Sequence, residues 1–150
     1  MSDKPDQTFE LYKIYLATAE KVSDRRAAAN TWMLSVNSAI SALYGYLKMG
    51  GASVSEFEQG FWLLAIPAAG IIVCFAWAVL LASYSKLNGA KFQVLHEMEK
   101  SLPVAPFERE QKIYKAMGRR SFTGLEKWAP FAFIGLYGIL LLASVIQALR

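Results

Sequence analysis

The residues best placed to do chemistry in this sequence share one line of one segment. At 100° per residue, Asn30, Asn37, Ser41, Tyr44 and Lys48 fall within roughly 40° of a common line, at spacings of 7, 4, 3 and 4. Met33, Val36, Ile40, Leu43 and Leu47 lie on the other side. Amide, hydroxyl, phenol and ammonium groups are hydrogen-bonding chemistry. In lipid they would lack partners, so such a line must face other helices or water. Two readings follow. The line joins helices, a second copy of the chain included, or it faces a water-filled pore in an oligomer, with Lys48 placing a positive ring near the outer end.

Other reactive types are thinly supported. There is no Ser-His-Asp set in plausible proximity, no P-loop, no HExxH and no paired carboxylates in apolar surroundings. His96, the single histidine, falls beside Gln93 and Lys100 on a polar helix face, with no second His or Cys at ligand spacing. Cys74, the single cysteine, sits within an apolar run and reads as a small buried side chain. The expectation is a non-enzymatic protein with no catalytic residue, no cofactor and no metal.

The segments that hold these residues define the class. The chain is 55% hydrophobic and only 19% charged, where soluble domains average roughly a quarter charged. The apolar excess is clustered. Phe61 to Ser83 and Ala129 to Leu149 carry no charge and are long enough to cross about 30 Å of hydrocarbon. Trp32 to Met49 is shorter and more polar. The first thirty residues have no apolar core of the signal-peptide kind. These features predict an all-α integral membrane protein with two to three spans. They form one membrane domain: a cytoplasmic helix plus first span over 8–49, a second span plus stalk over 61–102, a connector over 107–128 and a third hydrophobic segment over 129–149.

Charge sets the expected topology. Fourteen of the sixteen Lys and Arg lie in residues 1–31 and 84–128, and none in 50–60. The positive-inside rule puts the N-terminus and the 84–128 loop in the cytoplasm and the 50–60 tip outside. Arg25, Arg26, Arg119 and Arg120 then fall at the headgroup level. The positives are interleaved with Glu and lack a binding motif, so nucleic acid is not an expected partner. The lipid bilayer and further copies of the chain are, and no soluble partner is identified.

Both long helices continue beyond the membrane. Tyr12, Tyr15, Leu16, Ala19 and Val22 share one face of the first. In the second, Leu87, Val94, Leu95, Met98 and Leu102 form an apolar seam, with Glu97 and Glu99 read as wet side or flank. An antiparallel hairpin between the two faces is the expected arrangement. Within the membrane, Ala65, Ala69, Ile72, Ala76 and Ser83, with Gly135 and Gly138, offer small residues for close helix packing.

Tyr12 to Ile40, "YKIYLATAEKVSDRRAAANTWMLSVNSAI", and Tyr84 to Gln111, "YSKLNGAKFQVLHEMEKSLPVAPFEREQ", resemble the RipA-type family of small octameric bacterial membrane proteins. The first stretch is also similar to SLATT-type two-span membrane effectors. Arg25, Arg26, Asn30, Asn37, Lys86, Asn88, Lys91, Glu97, Glu99 and Pro103 carry the pattern. The resemblance implies a bacterial inner membrane, homo-oligomerisation and no known enzymatic reaction. The resulting expectation is a structural or stress-associated membrane protein, with a pore-forming effector gated by a cytoplasmic ligand as the alternative.

Overall fold

The computed structural model describes residues 3–118 and 126–149, with side chains from Gln7 onward. The described residues form helices and their connections, with no strand among them. The helices are α1 (Asp3–Lys48), α2 (Glu56–Glu99), α3 (Pro106–Ala116) and α4 (Ala129–Ala148). Both α2 and α4 are long and apolar enough to cross a membrane. At 1.5 Å per residue α2 is about 66 Å long, more than twice the hydrocarbon thickness.

Helix ends follow local chemistry. Gly50 stops α1 in the left-handed region at φ +74°. The Gly51 N–H then donates to Tyr46 O at 3.0 Å and the Gly50 N–H to Leu47 O at 3.2 Å, a Schellman closure. A side chain at Gly51 would collide with the Tyr46 ring. The second helix starts at Glu56 rather than near Phe61, because Ser55 and Glu58 make a reciprocal cap. The Glu58 N–H donates to Ser55 Oγ at 3.3 Å, and Glu58 Oε2 accepts from Ser55 N at 3.0 Å and Ser55 Oγ at 2.8 Å. Those bonds, the backbone one foremost, hold the Glu58 carboxyl below the usual carboxylate range. The same helix stops at Glu99, three residues short of the expected end, as Leu102 turns ahead of Pro103 with its N–H on Glu99 O at 3.0 Å.

The chain divides into two compact units. The charged unit takes in the described residues of Met1–Ala28 and Ala82–Gly124, and the apolar unit those of Ala29–Leu81 and Leu125–Arg150. In the charged unit, Tyr12, Ala19 and Leu95 form a buried cluster flanked by Tyr15, Leu16, Phe92, Met98, Leu102 and Phe107. The expected seam is therefore rotated. Leu95 is 0% exposed and Met98 and Leu102 join the cluster, but Leu87 is 47% and Val94 37% exposed. The seam is displaced by roughly 50° around α2, because Glu99 belongs inside it and Phe92 comes with it.

In the apolar unit, Tyr44, Leu47, Leu63 and Ile66 make one cluster, with Ile40, Ala52 and Leu140 against it. Trp77, Cys74 and Tyr137 are fully buried in the same unit. The close approach is made at Gly70, where an added Cβ would lie 2.7 Å from the Tyr137 ring. It is not made at the alanine face. Ala69, Ile72, Ala76 and Ser83 are exposed, and a Cβ added at Gly135 or Gly138 would meet nothing within 4 Å.

Candidate functional site

The polar line of α1 is the first candidate. Asn37 is fully buried. Its Nδ2 donates to Met33 O at 2.8 Å, and its Oδ1 accepts from Cys74 Sγ at 3.0 Å and Tyr137 OH at 3.2 Å. Tyr137 OH also donates to Asn37 O at 2.9 Å, and Ser41 Oγ lies 3.4 Å from that phenol. Further along, Tyr44 OH and Ser144 Oγ are 3.0 Å apart. At the ends of the line, Trp77 Nε1 donates to Asn30 Oδ1 at 3.2 Å, and Lys48 Nζ donates to Gln147 Oε1.

All five residues thus meet α2 or α4 of their own chain. Within one chain the line is engaged by the protein's own helices, the helix-joining reading. A buried polar group must find partners, and Cys74, Trp77, Tyr137, Ser144 and Gln147 supply them at matching heights. Hydrogen bonds between membrane helices average ~0.6 kcal/mol. The ladder therefore contributes mainly register: a rotation of α1 would strand several groups at once.

The second candidate is Glu99, for which the helix wheel predicts the wet side or flank. Its side chain is 1% exposed. Four groups converge on the carboxylate. Tyr12 OH donates to Oε1 at 3.1 Å, Phe107 N–H to Oε1 at 2.9 Å, Glu108 N–H to Oε2 at 3.2 Å, and His96 Nδ1 lies 3.4 Å from Oε2. Burying an unpaired carboxylate costs several kcal/mol, so this convergence is what permits it. Its position also explains α3. That helix begins Ala105–Pro106, and alanine has no side-chain acceptor for first-turn amides. Glu99 supplies the acceptor from α2, with its negative charge at the positive end of the α3 dipole. Burial first, and the bond to Glu99 second, push the Tyr12 phenol up to about 12.

His96 is accordingly part-buried, contrary to the solvated position expected for it. With Phe92, Phe107, Glu110, Gln111 and Tyr114 it lines an open groove of roughly 480 Å³. Beside this site Lys91 Nζ donates to Thr18 Oγ1 at 2.9 Å and lies 4.8 Å from the Tyr15 ring centroid. Arg25 is exposed and Arg26 part-buried. Arg119 and Arg120 lie outside the described residues. No cluster of three or more His, Cys, Asp or Glu suited to a metal ion occurs among the described residues.

The partners in α2 and α4 were legible as a spacing. Phe133, Tyr137, Leu140, Ser144 and Gln147 recur at intervals of 4, 3, 4 and 3, and Gly70, Cys74, Trp77 and Leu81 at 4, 3 and 4. These are seam intervals of packed helices. Glu99 gave no such signal beyond an N-cap position, Ala105, that cannot cap.

No curated protein and no solved structure is significantly similar to the chain. A family model, that of the octameric membrane protein family, matches residues 9–146. That match takes in the Glu99 site and the whole polar line of α1 and reaches into all four helices, and it agrees with an all-α chain holding two helices able to cross a membrane. The chain belongs to the octameric membrane protein family, whose members self-associate in a membrane.

Proposed function

We propose that this is a non-enzymatic structural protein of the bacterial inner membrane, with the N-terminal part of α1 and residues 84–128 on the cytoplasmic side. The observation that carries the reading is the inward turn of the polar line. Asn30, Asn37, Ser41, Tyr44 and Lys48 are engaged by α2 and α4 of the same chain, so their chemistry joins helices. The charge asymmetry supports the orientation. The RipA-type resemblance supports the inner membrane.

The test is ion flux in liposomes holding the purified oligomer. The wild type should pass no ions, and Asn37→Leu should leave that unchanged. Steady flux from well-folded oligomers would overturn the structural reading. A pore-forming effector gated by a cytoplasmic ligand is the second reading, favoured by one observation. Ser35 and Ser38 are exposed on α1, away from the Asn37 line, each hydroxyl turned to a carbonyl of its own helix. An assembly could line a path with those residues. Flux abolished by Ser38→Leu and untouched by Asn37→Leu would establish it.

A further inference from the structure

The charged unit carries two apolar surfaces that nothing in its own chain covers. Leu11 and Ile14 of α1 and Leu87 of α2 are exposed, and so are Ile113 and Met117 of α3. The same turns expose Glu10 and Lys13 on α1 and Lys112 and Lys115 on α3, so hydrocarbon is not their surroundings. Apolar clusters left in water mark contact surfaces. A chain whose family self-associates has further copies of itself to place there.

Each surface holds one unpaired charge, and the signs are opposite. Lys91 is half-buried and shares a face of α2 with Leu87, one turn away. Its Nζ meets the Thr18 hydroxyl and the Tyr15 ring, and among the described residues no carboxylate pairs with it. On α3, Pro106, Glu110, Ile113 and Met117 fall within roughly 60° of arc. Glu110 is exposed there and makes no ion pair among the described residues.

The two surfaces also match in level. Tyr12 meets Glu99 and Thr18 meets Lys91, so Leu11 and Ile14 stand beside residues 91–99 of α2. α3 stands beside the same stretch, through the Phe107 amide on Glu99 and a groove that Tyr114 shares with Phe92 and His96. Yet they lie on different sides. Leu87 and Lys91 are roughly 140° around α2 from Phe92 and His96, the side that α3 occupies. One chain cannot bring its own two surfaces together, whereas copies standing side by side can.

We propose that the Ile113–Met117 surface of one copy docks on the Leu11, Ile14 and Leu87 surface of the next, with Glu110 against Lys91. Unlike surfaces meet, so the contact is heterologous, the kind that closes into rings. By fastening the start of α3, Glu99 holds a subunit-joining element in place. The contact does not depend on whether the assembly passes ions, so the liposome result leaves it standing.

Disulfide trapping of the purified, assembled protein in detergent tests this. In a Cys74-free background, Ile14→Cys and Ile113→Cys together in one chain should give a ladder of linked copies on oxidation. Either substitution alone should leave single chains. Adding Glu110→Lys to the pair should lower the linked yield roughly two- to fivefold, and Lys91→Glu added to that should recover most of it. No ladder from the doubly substituted protein would overturn the docking. So would a disulfide closed within one chain, or linked dimers from either substitution alone, which would mean that like surfaces meet. A loss that Lys91→Glu does not recover would overturn the pairing of Glu110 with Lys91. If the Lys91→Glu chain does not assemble, the ladder decides alone.

Discussion

Gly70→Ala is the sharpest test of the apolar unit, because general helix rules and this structure disagree on its sign. Alanine in a helix interior is favoured over glycine by ~1 kcal/mol. At Gly70, however, a Cβ would lie 2.7 Å from two carbons of the Tyr137 ring and 2.8 Å from a third. Ordinary carbon contacts begin at about 3.5 Å, so the ring would have to retreat by roughly 0.8 Å. It has little freedom to do so. Tyr137 is fully buried, and its hydroxyl is bonded to Asn37 O at 2.9 Å. Overpacking of this kind costs ~1–3 kcal/mol, which offsets or exceeds the propensity gain. Gly89, in the same helix, has nothing within 4 Å, so Gly89→Ala receives the gain alone. Denaturant midpoints of the detergent-solubilised protein should place Gly70→Ala below Gly89→Ala by ~1–3 kcal/mol. Tyr137→Leu in the Gly70→Ala background should recover part of the packing loss. Equal stability of the two alanine variants would refute the argument that α2 and α4 meet at Gly70.

Three further outcomes are expected. Leu95→Asp should destabilise by several kcal/mol, because Leu95 is fully buried, whereas Val94→Asp on the exposed flank should be close to neutral; equal effects in thermal unfolding would return the seam to its sequence-predicted position. The Tyr12 phenol is pushed from 10 up to about 12, so its stabilising contribution is full below pH 10 and is lost as pH rises through about 12. Tyrosinate absorbance of wild type minus Tyr12→Phe should show one phenol titrating near 12, and a step near 10 would contradict the buried bond to Glu99. In a Cys74-free background, cysteine at Ser55 should react with an impermeant thiol reagent from the periplasm while cysteine at Gln93 is protected, and the reverse would invert the topology.

Legibility in the sequence followed how far each signal reached along the chain. The long helices were visible because apolar runs and the absence of breakers are local, and Gly50–Gly51 and Pro103 punctuated them where the structure does. Even the early start of α2 was written locally, in Ser55 and Glu58. The polar line on α1 was visible as a line, but its direction was not. That Asn37 meets Cys74 and Tyr137 depends on which of three helices stand beside it, and residue types alone do not order helices. Matching seam intervals on α2 and α4 would have supplied the missing half.

Glu99 shows why a helix wheel misplaces a charged seam residue. A wheel assigns side chains by type, and a carboxylate defaults to water. The assignment reverses when a neighbouring segment presents donors that nothing else can satisfy, as Ala105–Pro106 does by starting a helix without a capping side chain. The free amides of Phe107 and Glu108 are then as much a property of the sequence as the carboxylate is. The two requirements lie on different helices and answer one another only in the fold. Placing Glu99 inward turns α2 so that Phe92 and Leu95 face α1 and Leu87 and Val94 do not. One unsatisfied cap therefore accounts for the rotation of the whole seam, and Glu99→Leu should not restore it, since that variant leaves both amides unbonded and Tyr12 without an acceptor.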